Sequence, residues 1–135
     1  MAYPITEIHG IGTDIAAVLK SQGIRTTIGL LRSAKTPKQR LELAAKTGAS
    51  KAVVLDWVTA ADRMRVKGVG ADYAELLRVA GVHTANELRF RNAEKLAKTM
   101  TDANTDRRLV RVRPSAKMVT RWIQYAKALP AVIRY

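Results

Sequence analysis

Cysteine is absent from the 135-residue chain, and that absence excludes disulfides, thiolate metal sites and cysteine nucleophiles together while fitting a reducing compartment. Aromatic residues are scarce: one Phe, two Trp and four Tyr. A core must therefore be filled mainly by Ala, Leu, Val and Ile, side chains that suit closely approaching helices. No run of about 18 apolar residues is available for a membrane-spanning helix, and residues 1–7 lack the basic-then-apolar order of a secretory leader. A cytoplasmic protein with no membrane partner is expected. Period-two runs of strand formers are scarce as well, and no Pro/Ser-rich or long charged tract suggests disorder.

Acidic residues are also in short supply, 11 against 24 Lys and Arg, leaving a net charge of +13. A field of that sign attracts polyanions such as nucleic acid, or an acidic protein surface. The alternative is that the basic balance merely keeps a small protein in solution. Length argues for one cooperative body over residues 1–135, since about 100–200 residues is the usual span of a domain.

What the chain does contain is a repeat. Residues 8–31 read IHGIGTDIAAVLKSQGIRTTIGLL and residues 66–89 read VKGVGADYAELLRVAGVHTANELR, an offset of 58. Gly10, Gly12, Ala16, Leu19, Gly23 and Thr26 thus fall on Gly68, Gly70, Ala74, Leu77, Gly81 and Thr84. Each pair of glycines flanks one apolar residue, so the chain is expected to take positive φ in a tight turn while Ile11 or Val69 plugs a core. Small Ala16 and Ala74, one helical turn on, allow two helices to cross closely. Gly23 and Gly81 suit the left-handed residue that stops a helix.

Start signals mark further helices. Thr84 and Glu87 form a Thr-x-x-Glu capping box, and Thr26 or Thr27 caps the equivalent helix. Thr36-Pro37 reads as N-cap and first helical residue, with Gly48 as the stop; Ser50, Asn92 and Ser115 open three more. Trp57 and Trp122 occupy matching apolar faces at an offset of 65, so the second half carries a net insertion of seven residues. It lies around residues 105–113 and contains the run Arg-Arg-Leu-Val-Arg-Val-Arg. The expected organisation is all-α, with repeat halves 3–65 and 66–129 and a tail at 130–135.

The pattern apolar-x-Gly-apolar-Gly-x-x-x-Ala-x-x-Leu, followed by Gly-Ile/Val-x-Thr, resembles the helix-hairpin-helix motif of DNA-repair, recombination and DNA-uptake proteins, and both copies match it. Over nearly its whole length the chain also resembles a family of small bacterial proteins known only as a domain of unknown function. Tyr3-Pro4-Ile5, Thr36-Pro37 and the tail fit that family. The resemblance implies a compact multi-helix fold of two such SAM-like repeats. It further implies that hairpin amides and the N-terminus of the second helix receive a phosphate oxygen, with a monovalent cation sometimes held by hairpin carbonyls. The residues concerned are Gly10, Ile11, Gly12 and Thr13, and Lys67, Gly68, Val69, Gly70 and Ala71. No other cofactor is implied.

The physics is general, because unpaired amides at the positive end of a helix dipole attract anions without reading bases. One departure counts against it: Asp14 and Asp72 stand just inside the second helix, where they repel a phosphate approaching the same end. Charge is uneven, ten basic against five acidic residues over 1–66 and fourteen against six over 67–135. The candidate polyanion patch is Arg89, Arg91, Arg107, Arg108, Arg111, Arg113, Lys117 and Arg121, Arg being the better bidentate partner for phosphate. The competing expectation for each is a solvated residue paired along its helix.

Nothing points to catalysis. His9 and His83, the only histidines, each sit beside a turn, and Asp14, Asp56, Asp62 and Asp72 lack a partner at metal-ligand spacing, so no metal site is expected. Trp57 and Trp122 read as core residues. Gly10-x-Gly12 lacks the third glycine and preceding strand of a dinucleotide site. The expected function is therefore non-enzymatic, sequence-nonspecific binding of nucleic acid, DNA before RNA. The rival is an adaptor that docks an acidic protein and uses its hairpins only as turns.

Overall fold

The computed structural model describes residues 2–135. A 3-10 turn at Ile5–Glu7 is followed by eight helices: α1 (Thr13–Ser21), α2 (Thr27–Ser33), α3 (Pro37–Thr47), α4 (Lys51–Arg63), α5 (Ala71–Val79), α6 (Ala85–Leu88), α7 (Ala93–Arg107) and α8 (Ala116–Lys127). Among the described residues there is no strand, only an isolated antiparallel bridge between Pro4 and Thr26. The protein is all-α, and none of these helices is long and apolar enough to cross a membrane.

Local sequence sets the helix ends. Thr26, Thr36, Ser50, Thr84, Asn92 and Ser115 each accept the amide three residues on, which closes one of the orphan donors of a helix start. Thr26 is the cap of α2; Thr27 is buried, and its hydroxyl accepts from Tyr3 N at 3.1 Å. The reciprocal capping box falls at Thr36 and Gln39. At Thr84 the box is incomplete, because the Glu87 carboxylate accepts the amide of His83, one residue before the cap, at 2.8 Å.

Only the first glycine of each pair takes positive φ, Gly10 at +91° and Gly68 at +88°. They bend the turns closed by Ile11 N–H to Ile8 O, 3.1 Å, and Val69 N–H to Val66 O, 3.0 Å. Gly12 and Gly70 are extended N-caps, at φ −84° and −86°.

Packing repeats with the sequence. α1 lies on α3, and α2 and α3 lie on α4; likewise α5 lies on α7, and α6 and α7 lie on α8. The join is α4 against α5, so α4 serves both halves. One apolar cluster takes residues from all eight helices. Ala16 and Ala74 are 2% and 1% exposed, as close crossings require.

The extra residues of the second half go into α7, 15 residues against 11 in α3, and into the segment 108–115 that replaces the short link at 48–50. The tail crosses back to the first half. Arg134 N–H donates to Lys35 O, 2.8 Å, and Arg40, only 4% exposed, donates to the carbonyls of Ala34, Lys35 and Arg134.

Candidate functional site

Two helix starts lack a side-chain cap, and they are the two that follow the glycine turns. Gly12 and Gly70 have φ values open to any residue, and a Cβ added at either meets nothing within 4 Å. Neither the backbone nor the packing therefore requires glycine there, and a Ser or Asp would cap the helix. With glycine, the first-turn amides of α1 (Thr13, Asp14, Ile15) and of α5 (Ala71, Asp72, Tyr73) find no partner in the protein. They point their partial positive charge at solvent.

The start of α5 opens into a cleft of about 1340 Å³. One wall is the segment from Thr6 to His9, another is Gly70, Ala71, Asp72 and Tyr73, and the third is the end of α7 with the loop that carries Arg108, Arg111 and Arg113. The loop is held at both ends of its bend. Asn104 grips Val110 through its amide side chain, donating to the carbonyl at 3.1 Å and accepting from the N–H at 3.0 Å, and the Tyr73 hydroxyl donates to Val112 O at 2.7 Å. Burial raises the Tyr73 phenol above its ordinary range, which keeps it a donor. Arg108 takes φ +50° as the C-cap of α7, and that reversal turns the chain toward α5.

Arg108, Arg111 and Arg113 are exposed and make no ion pair or side-chain hydrogen bond. Pairing along a helix does not account for them. Asp72, expected to repel an anion at this end, has its carboxylate 3.1 Å from His9 Nε2, on the turn of the other repeat. Asp14 at the start of α1 is exposed and has no such partner. The cleft also contains Glu7, so its charge is a cationic wall facing a mixed one.

The predicted residues divide. Gly70, Ala71, Arg108, Arg111 and Arg113 come together in the cleft. Lys67, Gly68 and Arg121 line a separate pocket with Met118, Trp122 and Tyr125. The Tyr73 and Trp122 rings, 5.2 Å apart, connect the two. Ile11 and Val69 are buried, and their amides are taken by the turns, so neither supplies an anion donor. Gly10, Gly12 and Thr13 are exposed but line no cleft with the arginines. Arg89, which stacks on Phe90 at 5.3 Å, Arg91, Arg107 and Lys117 lie outside both concavities. Among the described residues no three His, Asp or Glu side chains converge as metal ligands.

His9, Tyr73 and Asn104 were not singled out as site residues from sequence. Their parts depend on contacts 63, 39 and 6 residues away. Only Asn104, near the end of a helix and just before a basic loop, carried a local signal.

No curated protein and no solved structure matches the chain. A family described as Domain of unknown function (DUF4332) matches residues 9–129, from the first glycine turn to the end of α8. That span takes in both turns, the arginine loop and every helix, and the chain belongs to this family.

Proposed function

We propose that the two glycine turns are helix-hairpin-helix units and that the protein binds nucleic acid without sequence preference, DNA before RNA, through the cleft at the start of α5. The observation that carries the reading is the convergence of three unpaired arginines with an uncapped helix N-terminus. Phosphate contacts of that kind position a duplex and read no base. The nine-residue α1 offers the same bare amides but does not line the arginine cleft, which favours the second hairpin as the working one. The role proposed for the cleft is binding and not catalysis.

Fluorescence anisotropy with duplex DNA, single-stranded DNA and RNA over a salt series tests the proposal. Three phosphates neutralised by Arg108, Arg111 and Arg113 give a log–log salt slope of roughly −3, from about −0.9 per contact. Charge reversal at all three should weaken binding to every sequence alike and flatten the slope by about one per residue. Flat traces at low salt for all three nucleic acids would remove the proposal. Binding to an acidic polypeptide in their place would establish the adaptor reading.

A further inference from the structure

The pocket on the far side of Trp122 has a feature the cleft lacks. Trp122 is only 3% exposed, yet its indole N–H donates to no group of the protein. No buried side-chain nitrogen or oxygen among the described residues is left without a partner, so that N–H reaches solvent. The edge that carries it is set against Gly68: a Cβ built there would lie 3.2 Å from Nε1 and 3.7 Å from Cδ1. Glycine at 68, required by a φ of +88°, also leaves the indole edge uncovered. The Tyr73 ring packs on the indole and fixes its orientation.

Around this donor the pocket, about 240 Å³, places Lys67, Arg121 and Tyr125. The Lys67 ammonium sits 5.7 Å from the centre of the Tyr125 ring, and neither Lys67 nor Arg121 is in an ion pair. The first half provides an internal control. Trp57 stands against Gly10 in the same way, with Nε1 3.7 Å from a built Cβ, but the residues matching Lys67, Arg121 and Tyr125 at the repeat offsets are His9, Asp56 and Ala60. The Gly–Trp contact belongs to the repeat; the cationic rim and exposed phenol ring belong to the second copy alone.

We infer that this pocket is a receptor for a terminal phosphoryl group, a phosphate monoester, with the Trp122 indole N–H as its fixed donor. The charge argument selects the monoester. Two full positive charges and one neutral donor balance a group carrying about −1.5 to −2, whereas an internal phosphodiester carries only one. Tyr125, a residue 40% exposed, offers its ring to the base or sugar attached to that phosphate. The inference rests on the nucleic-acid reading only for the source of the group, a strand end or a free mononucleotide.

The test is the pair of indole N–H cross-peaks in a proton–nitrogen correlation spectrum of the full chain. It is titrated in parallel with 5′-phosphorylated oligothymidine, its 5′-hydroxyl counterpart and thymidine 5′-monophosphate. The Trp122 peak should move with the two phosphorylated probes and stay with the hydroxyl one, while the Trp57 peak stays throughout. A tighter response to the oligonucleotide identifies a strand end; an equal response to the mononucleotide identifies a free nucleotide. Lys67→Ala and Arg121→Ala, both at exposed positions, should each weaken the phosphorylated probe by roughly tenfold, as loss of a charge-assisted hydrogen bond does, and leave the hydroxyl probe unchanged. A Trp122 peak that stays still with every probe, or moves equally with the hydroxyl one, overturns the inference. The arginine cleft can fail its own test without touching this one, since the mononucleotide needs no cleft.

Discussion

The two halves solve one problem with different parts. In the first, the carbonyl of Arg25 and the amide of Thr27 are met by backbone, Ile5 N–H at 2.9 Å and Tyr3 O at 2.9 Å. Fifty-eight residues later the matching groups, His83 O and Ala85 N–H, are met by side chains, Arg63 Nη1 at 2.9 Å and Asp62 Oδ2 at 2.8 Å. An extended segment precedes the first turn, and a full helix, α4, precedes the second. A helix consumes its own backbone groups in its ladder, so only its side chains remain to tie the next hairpin down. The price is a guanidinium that is 2% exposed. Burial lowers its pKa to about 10, the nearby carboxylate of Glu75 working the other way, and it stays charged near neutrality.

The largest way to break this comparison is Arg63→Met. That change keeps most of the buried volume, leaves His83 O without its donor, and removes the second donor from Ala74 O, which stays in the ladder of α5. One stranded carbonyl costs about 1–3 kcal/mol, and relief of the buried charge offsets part, so a loss near 1 kcal/mol is expected. Urea midpoints measure it; an unchanged midpoint would show that the side-chain ties are dispensable. Ile5, the counterpart of Arg63, already fills the equivalent place with an apolar side chain, 0% exposed.

Gly12→Ser and Gly70→Ser sharpen it. Both positions have the backbone and the room for a capping side chain, so each variant should gain a few tenths of a kcal/mol in thermal unfolding. Their binding should differ. Capping α5 withdraws an amide from the arginine cleft and weakens DNA binding, whereas capping α1 does not. Equal affinities in the two variants would deny the second hairpin its separate role.

The smallest effect concerns acid. Glu75 is buried enough to raise its pKa, but the hydrogen bond and charge of Arg78 outweigh that and hold it below the ordinary carboxylate range. Its folded value lies below its unfolded one, so its contribution to stability is present at neutral pH and is lost as the pH falls through the folded value. Its counterpart is Ala17. Glu75→Gln should therefore flatten the acid limb of the stability curve slightly, while Ala17→Gln leaves it unaltered.

Much of the fold was legible because its signals are local. The hydroxyl and amide caps at Thr26, Thr36, Ser50, Thr84, Asn92 and Ser115, and the stops at Gly23, Gly48 and Gly81, act within about four residues and can be read along the chain. The turn glycines were legible as a pair, but their division of labour was not: positive φ belongs to Gly10 and Gly68 alone. The site was legible in its chemistry and not in its membership. The candidate patch took eight of the basic residues between 89 and 121, and three of them line the cleft at the uncapped end of α5.

By itself the sequence determined that the chain is helical, that its glycine-turn pattern occurs twice at an offset of 58, and that the second half carries the excess of arginine. Helix periodicity and capping are set by neighbours in the chain. Tertiary structure decided which helix start faces the arginine loop, that His9 draws the Asp72 carboxylate, and that the Trp122 N–H is left open beside Lys67 and Arg121. Those outcomes depend on groups tens of residues apart meeting within a few ångströms, and such meetings are fixed only when the shared core closes around α4.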